Sequence, residues 1–171
     1  QLEAKIIDMD ILTPEGGIAA MQTLIESNVH AIASAFTVLP QPAMDAAAPS
    51  GIPYIHGNTS SVNVDMFQSD PKKYRNIFQL DVAEVWYGTG FVRFLTNLKN
   101  SGKWTPKNNK IHIVQGQTSY NLNISRATQE EVARTNGEWV ISEVTDIQFP
   151  VQDWTPVIQS LKENDSGALM I

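Results

Sequence analysis

Short, unbroken apolar runs alternate with longer stretches whose apolar residues recur at three- and four-residue spacing. This alternation narrows the fold more than any other feature of the chain. Ala4–Asp10 reads as a strand ending in acids. Thr13-Pro14-Glu15 then supplies an N-cap, a proline at the first helical position and an early acid. Ile18, Met21, Leu24 and Ile25 continue as one apolar helix face that ends near Asn28. Val29–Ala33 is the next strand, 40–48 a weaker helix, and Ile52–Ile55 a third strand. Residues 62–75 carry no clean period and are expected to be irregular. Asn76–Leu80 is a fourth short strand. The helix expected over 85–98 carries an aromatic face of Trp86, Phe91 and Phe94.

The second half repeats the grammar. Strands are expected at 110–114, 138–144 and 168–171, with helices at 121–135, breaking at Asn136-Gly137, and at 153–162. Continuous apolar strands alternating with helices predict an α/β fold, with helices on both faces of mainly parallel sheets and two lobes meeting near Asp81.

Composition removes several function classes. The chain has 171 residues, 12 basic against 18 acidic, and no cysteine. The acidic balance argues against a nucleic-acid partner, whose phosphates need clustered Lys and Arg. Without cysteine there is no disulfide scaffold, thiolate metal site or Cys nucleophile. No apolar run approaches the ~20 residues of a spanning helix. Gln1–Lys5 lacks the basic-then-apolar order of an export signal, and both ends read as cut.

Parallel sheets bind ligands at the carboxyl ends of their strands. The loops to inspect are therefore Ser34–Thr37, Gly57–Ser61 and Gln117–Tyr120, which are rich in hydroxyls and amides. They are suited to holding a small carboxylate through N–H and O–H groups, or simply to capping helices. His30 and His112 fall inside expected strands and read as packed residues, whereas His56 at a strand end is open to a binding role. No zinc-protease pair, nucleophile elbow, phosphate loop or dinucleotide fingerprint occurs. Asp8 and Asp10 resemble part of a phosphoacceptor pocket, but the strand that should supply a third acid ends in Ser34. With no nucleophile–base pair, the chain is expected not to be an enzyme and to need no cofactor or metal.

The order of segments resembles the type I periplasmic solute-binding proteins of ABC transporters, in the branched-chain amino acid (Leu/Ile/Val) receptor family. Ile6–Asp10, Leu24-Ile25-Glu26 and Val29–Ile32 look like that family's strand, acidic pair, helix and strand. Gly51–Ile55 with Asn58-Thr59-Ser60 is similar to its "GVPVIS…AT" loop. Phe78–Glu84 sits where the family has "FRTAPSD", with Gln79 for Arg and Glu84 for Asp. Lys110–Val114 with Ser119-Tyr120, and Asp153–Lys162 with Ala168–Ile171, match the family's later segments.

The resemblance implies three-layer α/β lobes closing on a ligand in an interlobe cleft. Residues 1–81 would be part of the first lobe, without its opening strand and helix. Residues 82–171 would be part of the second, without its C-terminal portion. It also implies an extracytoplasmic, periplasmic receptor that passes a branched-chain amino acid or related carboxylate to ABC permease subunits. The same fold alternatively serves as the ligand-sensing domain of a receptor or regulator. Carried over by position, the ligand-binding residues are Phe36, Thr37, Val38, Thr59, Ser60 and Tyr120, and His56 joins them through its strand-end place. Thr59 and Ser60 would take the α-carboxylate, and Tyr120 would line the cleft from the second lobe.

Overall fold

The computed structural model describes residues 3–148 and 150–171, so the Gln1-Leu2 part of the leader reading lies outside the described residues. The chain divides into two compact units, Gln1–Ala83 and Glu84–Ile171.

In the first unit, α1 (Pro14–Glu26) starts where the capping residues predict. Thr13 Oγ1 accepts from Gly16 N, and Asp10 accepts in turn from Leu12 N and Thr13 Oγ1. Asn28 takes a left-handed φ of 52° just beyond the helix, a conformation in which Asn is one of the tolerated residues. There follow β1 (Ile32–Ser34), α2 (Pro40–Ala47) with a 3-10 turn at Ala48–Ser50, β2 (Tyr54–His56), α3 (Ser61–Ser69) and β3 (Ile77–Gln79). The three strands form one parallel sheet in the order β1-β2-β3, with Ile32 opposite Tyr54 and Tyr54 opposite Ile77. Met21 of α1 and Ala43, Met44 and Ala47 of α2 pack with Ile32, Tyr54, Tyr74 and Ile77 into one core. Each large apolar side chain in it contributes roughly 1.5–3 kcal/mol on burial.

Three expectations fail in this unit. Residues 4–10 form no strand: Ile6 is exposed, and the segment runs into the Asp10 turn without a ladder partner among the described residues. Apolar content favours a strand only where a neighbour pairs its backbone. Residues 62–75 are not irregular throughout, because α3 occupies Ser61–Ser69. Its period was hidden because the buried position is polar, Asn63, while Val62, Val64 and Phe67 stay exposed. His30 lies outside β1 and is exposed rather than packed.

The second unit runs α4 (Val85–Asn100), β4 (Lys110–Gly116), α5 (Ser119–Arg134), β5 (Val140–Ile147), α6 (Thr155–Asn164) and β6 (Ala168–Met170). Its parallel sheet has the order β5-β4-β6. Ile111 and Ile113 of β4 join Val92, Leu95, Val132 and Trp139 in the core under α4 and α5. The alternating residues His112 and Val114 face the other way, as the strand period requires. On that side Glu143, opposite His112, accepts from Ser160 Oγ of α6 at 2.8 Å. Helices therefore flank both faces of this sheet.

Ser142 is the extra residue where the β4–β5 register shifts. Its hydroxyl donates to the Ile111 carbonyl at 3.1 Å, and it also bonds to Ser166 Oγ at 2.7 Å. Of the expected aromatic face on α4, Trp86 and Phe94 are exposed. The inward face is Gly88, Val92 and Leu95, with Phe91 packed at its margin. Glu131 ties α5 to α4 by accepting from Arg93 Nε at 2.8 Å and Arg134 Nη1 at 2.9 Å. Those two guanidinium bonds hold its carboxyl below the usual range.

Candidate functional site

In the first unit, the loops after β1 and β2 meet through a reciprocal clasp. Thr37 N donates to Asn58 Oδ1 at 2.6 Å, and Asn58 Nδ2 donates to Thr37 Oγ1 at 3.0 Å. Both side chains are buried. Gly57 N also donates to the Ser34 carbonyl at 3.1 Å, and a Cβ on Gly57 would stand 2.7 Å from the Ala35 carbonyl oxygen. Only glycine permits that approach. Asn58, absent from the resemblance-based list of site residues, fixes the loop geometry. A Gly-Asn pair after a buried strand was the available signal.

The sequence-predicted residues separate around this clasp. Thr37 is committed to Asn58. Phe36 and Val38, on either side of it, are exposed. Thr59 is buried, and Ser60 stands at the N-cap of α3 without making a side-chain cap bond. Thr118, by contrast, does cap its helix, accepting from Asn121 N at 3.3 Å. Capping thus explains Thr13 and Thr118 but not Ser60. Neither loop, 34–38 or 57–61, contains Lys or Arg. The first helical turn of α3 and the Ser60 hydroxyl are the groups there with the chemistry to meet an anion.

His56 is placed differently. It is 1% exposed, with its ring 5.4 Å from that of Tyr54. Burial pushes its imidazole below the ordinary value. The unfolded chain therefore takes up a proton near pH 6.5 that the folded chain refuses. Stability is full above about pH 6.5 and falls as pH drops from there through the folded-state value. His56→Gln should flatten that limb in denaturation midpoints measured across pH, and a limb of unchanged slope would contradict it.

Asn58→Ala strands the buried Thr37 N–H and should cost about 1–3 kcal/mol by urea denaturation. A loss below about 0.5 kcal/mol, the usual scatter of surface substitutions, would show the clasp to be incidental.

In the second unit, β4 leads through α5 to β5 on one side, and β5 returns through α6 to β6 on the other. That reversal makes a crevice at the carboxyl ends of β4 and β6. A pocket of about 330 Å³ lies there, lined by Tyr87, Gln115, Tyr120, Asn121, Ser125 and Met170 among others. Tyr120 is half-exposed at it. Tyr87 and Gln115 are new to the site. Tyr87 was overlooked because its helix was read by its Trp and Phe residues. Among the described residues there is no group of three or more His, Asp or Glu able to hold a metal ion. No helix among them is long and apolar enough to cross a membrane.

No protein-family profile matches the chain, and no curated protein matches it. Solved structures do. A protein assigned to a branched-chain amino acid ABC transporter of Silicibacter pomeroyi matches at TM-score 0.82 and 30% identity, over 91% of this chain and 39% of that one. A solute-binding protein of an ABC transporter from R. palustris, solved with benzoate, matches at 0.63 and 16%, over 92% and 40%. A leucine-binding protein of Thermotoga maritima matches at 0.63 and 13%, over 92% and 41%. The chain thus spans about two-fifths of the length of these proteins. It has the α/β fold of the type I periplasmic solute-binding proteins, and over most of its length it resembles the branched-chain amino acid receptor family of ABC transporters.

Proposed function

We propose that the chain is part of the extracytoplasmic solute-binding component of an ABC transporter. That component captures a branched-chain amino acid or related small carboxylated ligand in the periplasm and delivers it to permease subunits. The observation that carries this reading is the likeness to the S. pomeroyi protein, at 30% identity over 91% of the chain. The two units correspond, in this reading, to parts of two ligand-binding lobes.

The loop chemistry supports a carboxylate. Ser60 offers a hydroxyl that makes no cap bond at the start of α3, where the helix dipole favours negative charge. Thr59 sits beside it, and the Thr37–Asn58 clasp holds both in place. Phe36 and Val38 present apolar surface for a side chain. Tyr120 lines the switch-point pocket of the second unit. Nothing in this set performs bond chemistry, which fits reversible capture.

The test is a pair of variants. Ser60→Ala and Tyr120→Ala should each weaken ligand binding about tenfold, the loss expected of one ligand hydrogen bond, while melting temperature stays near that of the wild type. Wild-type affinity in both variants would remove these residues from the site.

A further inference from the structure

The first unit holds a strand-like segment with no strand beside it, and a sheet edge with no strand on it. Residues 4–10 carry the β-branched pair Ile6-Ile7, make no ladder among the described residues and leave Ile6 86% exposed. The sheet of the same unit ends at β3, which pairs with β2 on one side and with no described strand on the other. Tyr54 N donates to the Asn76 carbonyl and Leu80 N to the His56 carbonyl, so residues 76 and 80 face β2. Alternation then turns the Ile77 carbonyl and the Gln79 amide and carbonyl to the open edge. Phe78, between them, is 50% exposed. Such an edge is a template for an added strand.

Charge sets the direction of that strand. In the turn before β3, Lys72 and Arg75 are exposed and make no ion pair among the described residues, whereas Lys73 is taken by Asp45. They outnumber Asp70, the one acid of that turn, which accepts from Lys73 N. Asp81 stands just past the far end of β3. Residues 5–10 carry the reverse order, Lys5 first and Asp8 and Asp10 last. Asp10 is engaged with Leu12 N and Thr13 Oγ1, which leaves Asp8 as the free acid. Laid antiparallel on β3, the segment brings Asp8 toward Arg75 and Lys5 toward Asp81. The other edge, β1, offers no such match, because no Lys, Arg, Asp or Glu occurs from Ser27 to Met44.

The segment that fills the β3 edge comes from another molecule. Within one chain, Lys5 Nζ is tied to Ser27 Oγ at 2.5 Å, at the end of α1 that leads into β1, on the opposite side of the sheet. We propose that residues 4–10 of one copy add to the β3 edge of a second copy as an antiparallel strand, and that the exchange is reciprocal and closes a two-fold dimer. Each copy has one segment to give and one edge to fill, so a mutual exchange satisfies both, whereas one-way addition grows into a filament. The exchange costs each copy the exposed Lys5–Ser27 bond and covers the Ile6 side chain and the open backbone groups of β3.

The test is sedimentation velocity of the intact 171-residue chain over a range of concentrations. A monomer–dimer equilibrium is expected, and a chain that stays monomeric throughout overturns the proposal. Ile6→Pro removes a backbone donor from the added strand and touches no core. It should weaken the dimer about tenfold, with the melting temperature at monomeric dilution unchanged. Asp8→Lys and Arg75→Glu should each weaken it about fivefold, and combining them in one chain should restore it. A synthetic peptide of residues 3–11, in excess, should return the wild type to monomer. A dimer indifferent to Ile6→Pro lies on another face. Losses that add instead of cancelling in the combined variant would mean that the strand runs parallel or pairs at β1. Filaments that lengthen with concentration would mean open addition. Each of these three results overturns the proposal.

Discussion

Trp139→Ala should cost the second unit about 3–5 kcal/mol, the range for emptying a large aromatic site in a packed core. Trp139 is the largest of the fully buried side chains. Its ring stacks on Trp104 at 6.0 Å and 10°, and its Nε1 donates to Thr96 Oγ1 of α4 at 2.9 Å. It therefore joins the connector before β4, the helix α4 and the start of β5 around a single ring. Truncation opens a cavity and leaves Thr96 without its donor. Trp139→Phe keeps the apolar contact and should cost distinctly less. Urea unfolding of both variants, followed by circular dichroism, checks this ordering. Equal small losses would show that the ring is not the keystone of this core.

Gly88→Ala should also destabilise, against the usual rule that alanine improves a helix interior by up to about 1 kcal/mol over glycine. A Cβ on Gly88 would run into the Ile124 carbonyl and stand 2.7 Å from Thr128 N and 2.8 Å from Thr128 Oγ1. All three atoms belong to α5, and two of them are backbone, so relief requires the helices to separate. The expected net loss is about 1–3 kcal/mol. Gly90, two residues along the same helix, supplies the control, because a Cβ there meets nothing within 4 Å. Gly90→Ala should therefore stabilise by roughly 0.5–1 kcal/mol. Melting temperatures that move in opposite directions support the close contact of α4 with α5. If both rise, the contact is looser than described.

Legibility in the sequence followed the physics of each element. The start of α1 was readable because Thr13, Pro14 and Glu15 act locally through caps and dipole. The strand β4 was readable because a strand buried on both faces needs an unbroken apolar run, and within 111–114 only His112 interrupts it. His112 is fully buried and shares a hydrogen bond with Thr145 Oγ1 at 2.7 Å, so its packed role was also legible.

Elements that depend on distant partners were not. Residues 4–10 have strand-like composition, but composition cannot supply a neighbouring backbone. The helix α3 turns a polar residue inward, so its apolar residues trace no inward face. The loop hydroxyls were chemically ambiguous. Whether a Thr caps a helix, grips an Asn or stands open depends on loop–loop contacts such as Thr37 with Asn58, made across 21 positions of chain. His56 was singled out by its strand-end position, and there it is buried with its ring beside that of Tyr54.

Calorimetric titration of the intact protein with leucine, isoleucine, valine and a set of aromatic carboxylates tests the proposed receptor function most directly. Saturable heat from at least one amino-acid-like carboxylate, weakened by Ser60→Ala, is the predicted result. No heat and no thermal shift with any member of the panel would contradict it.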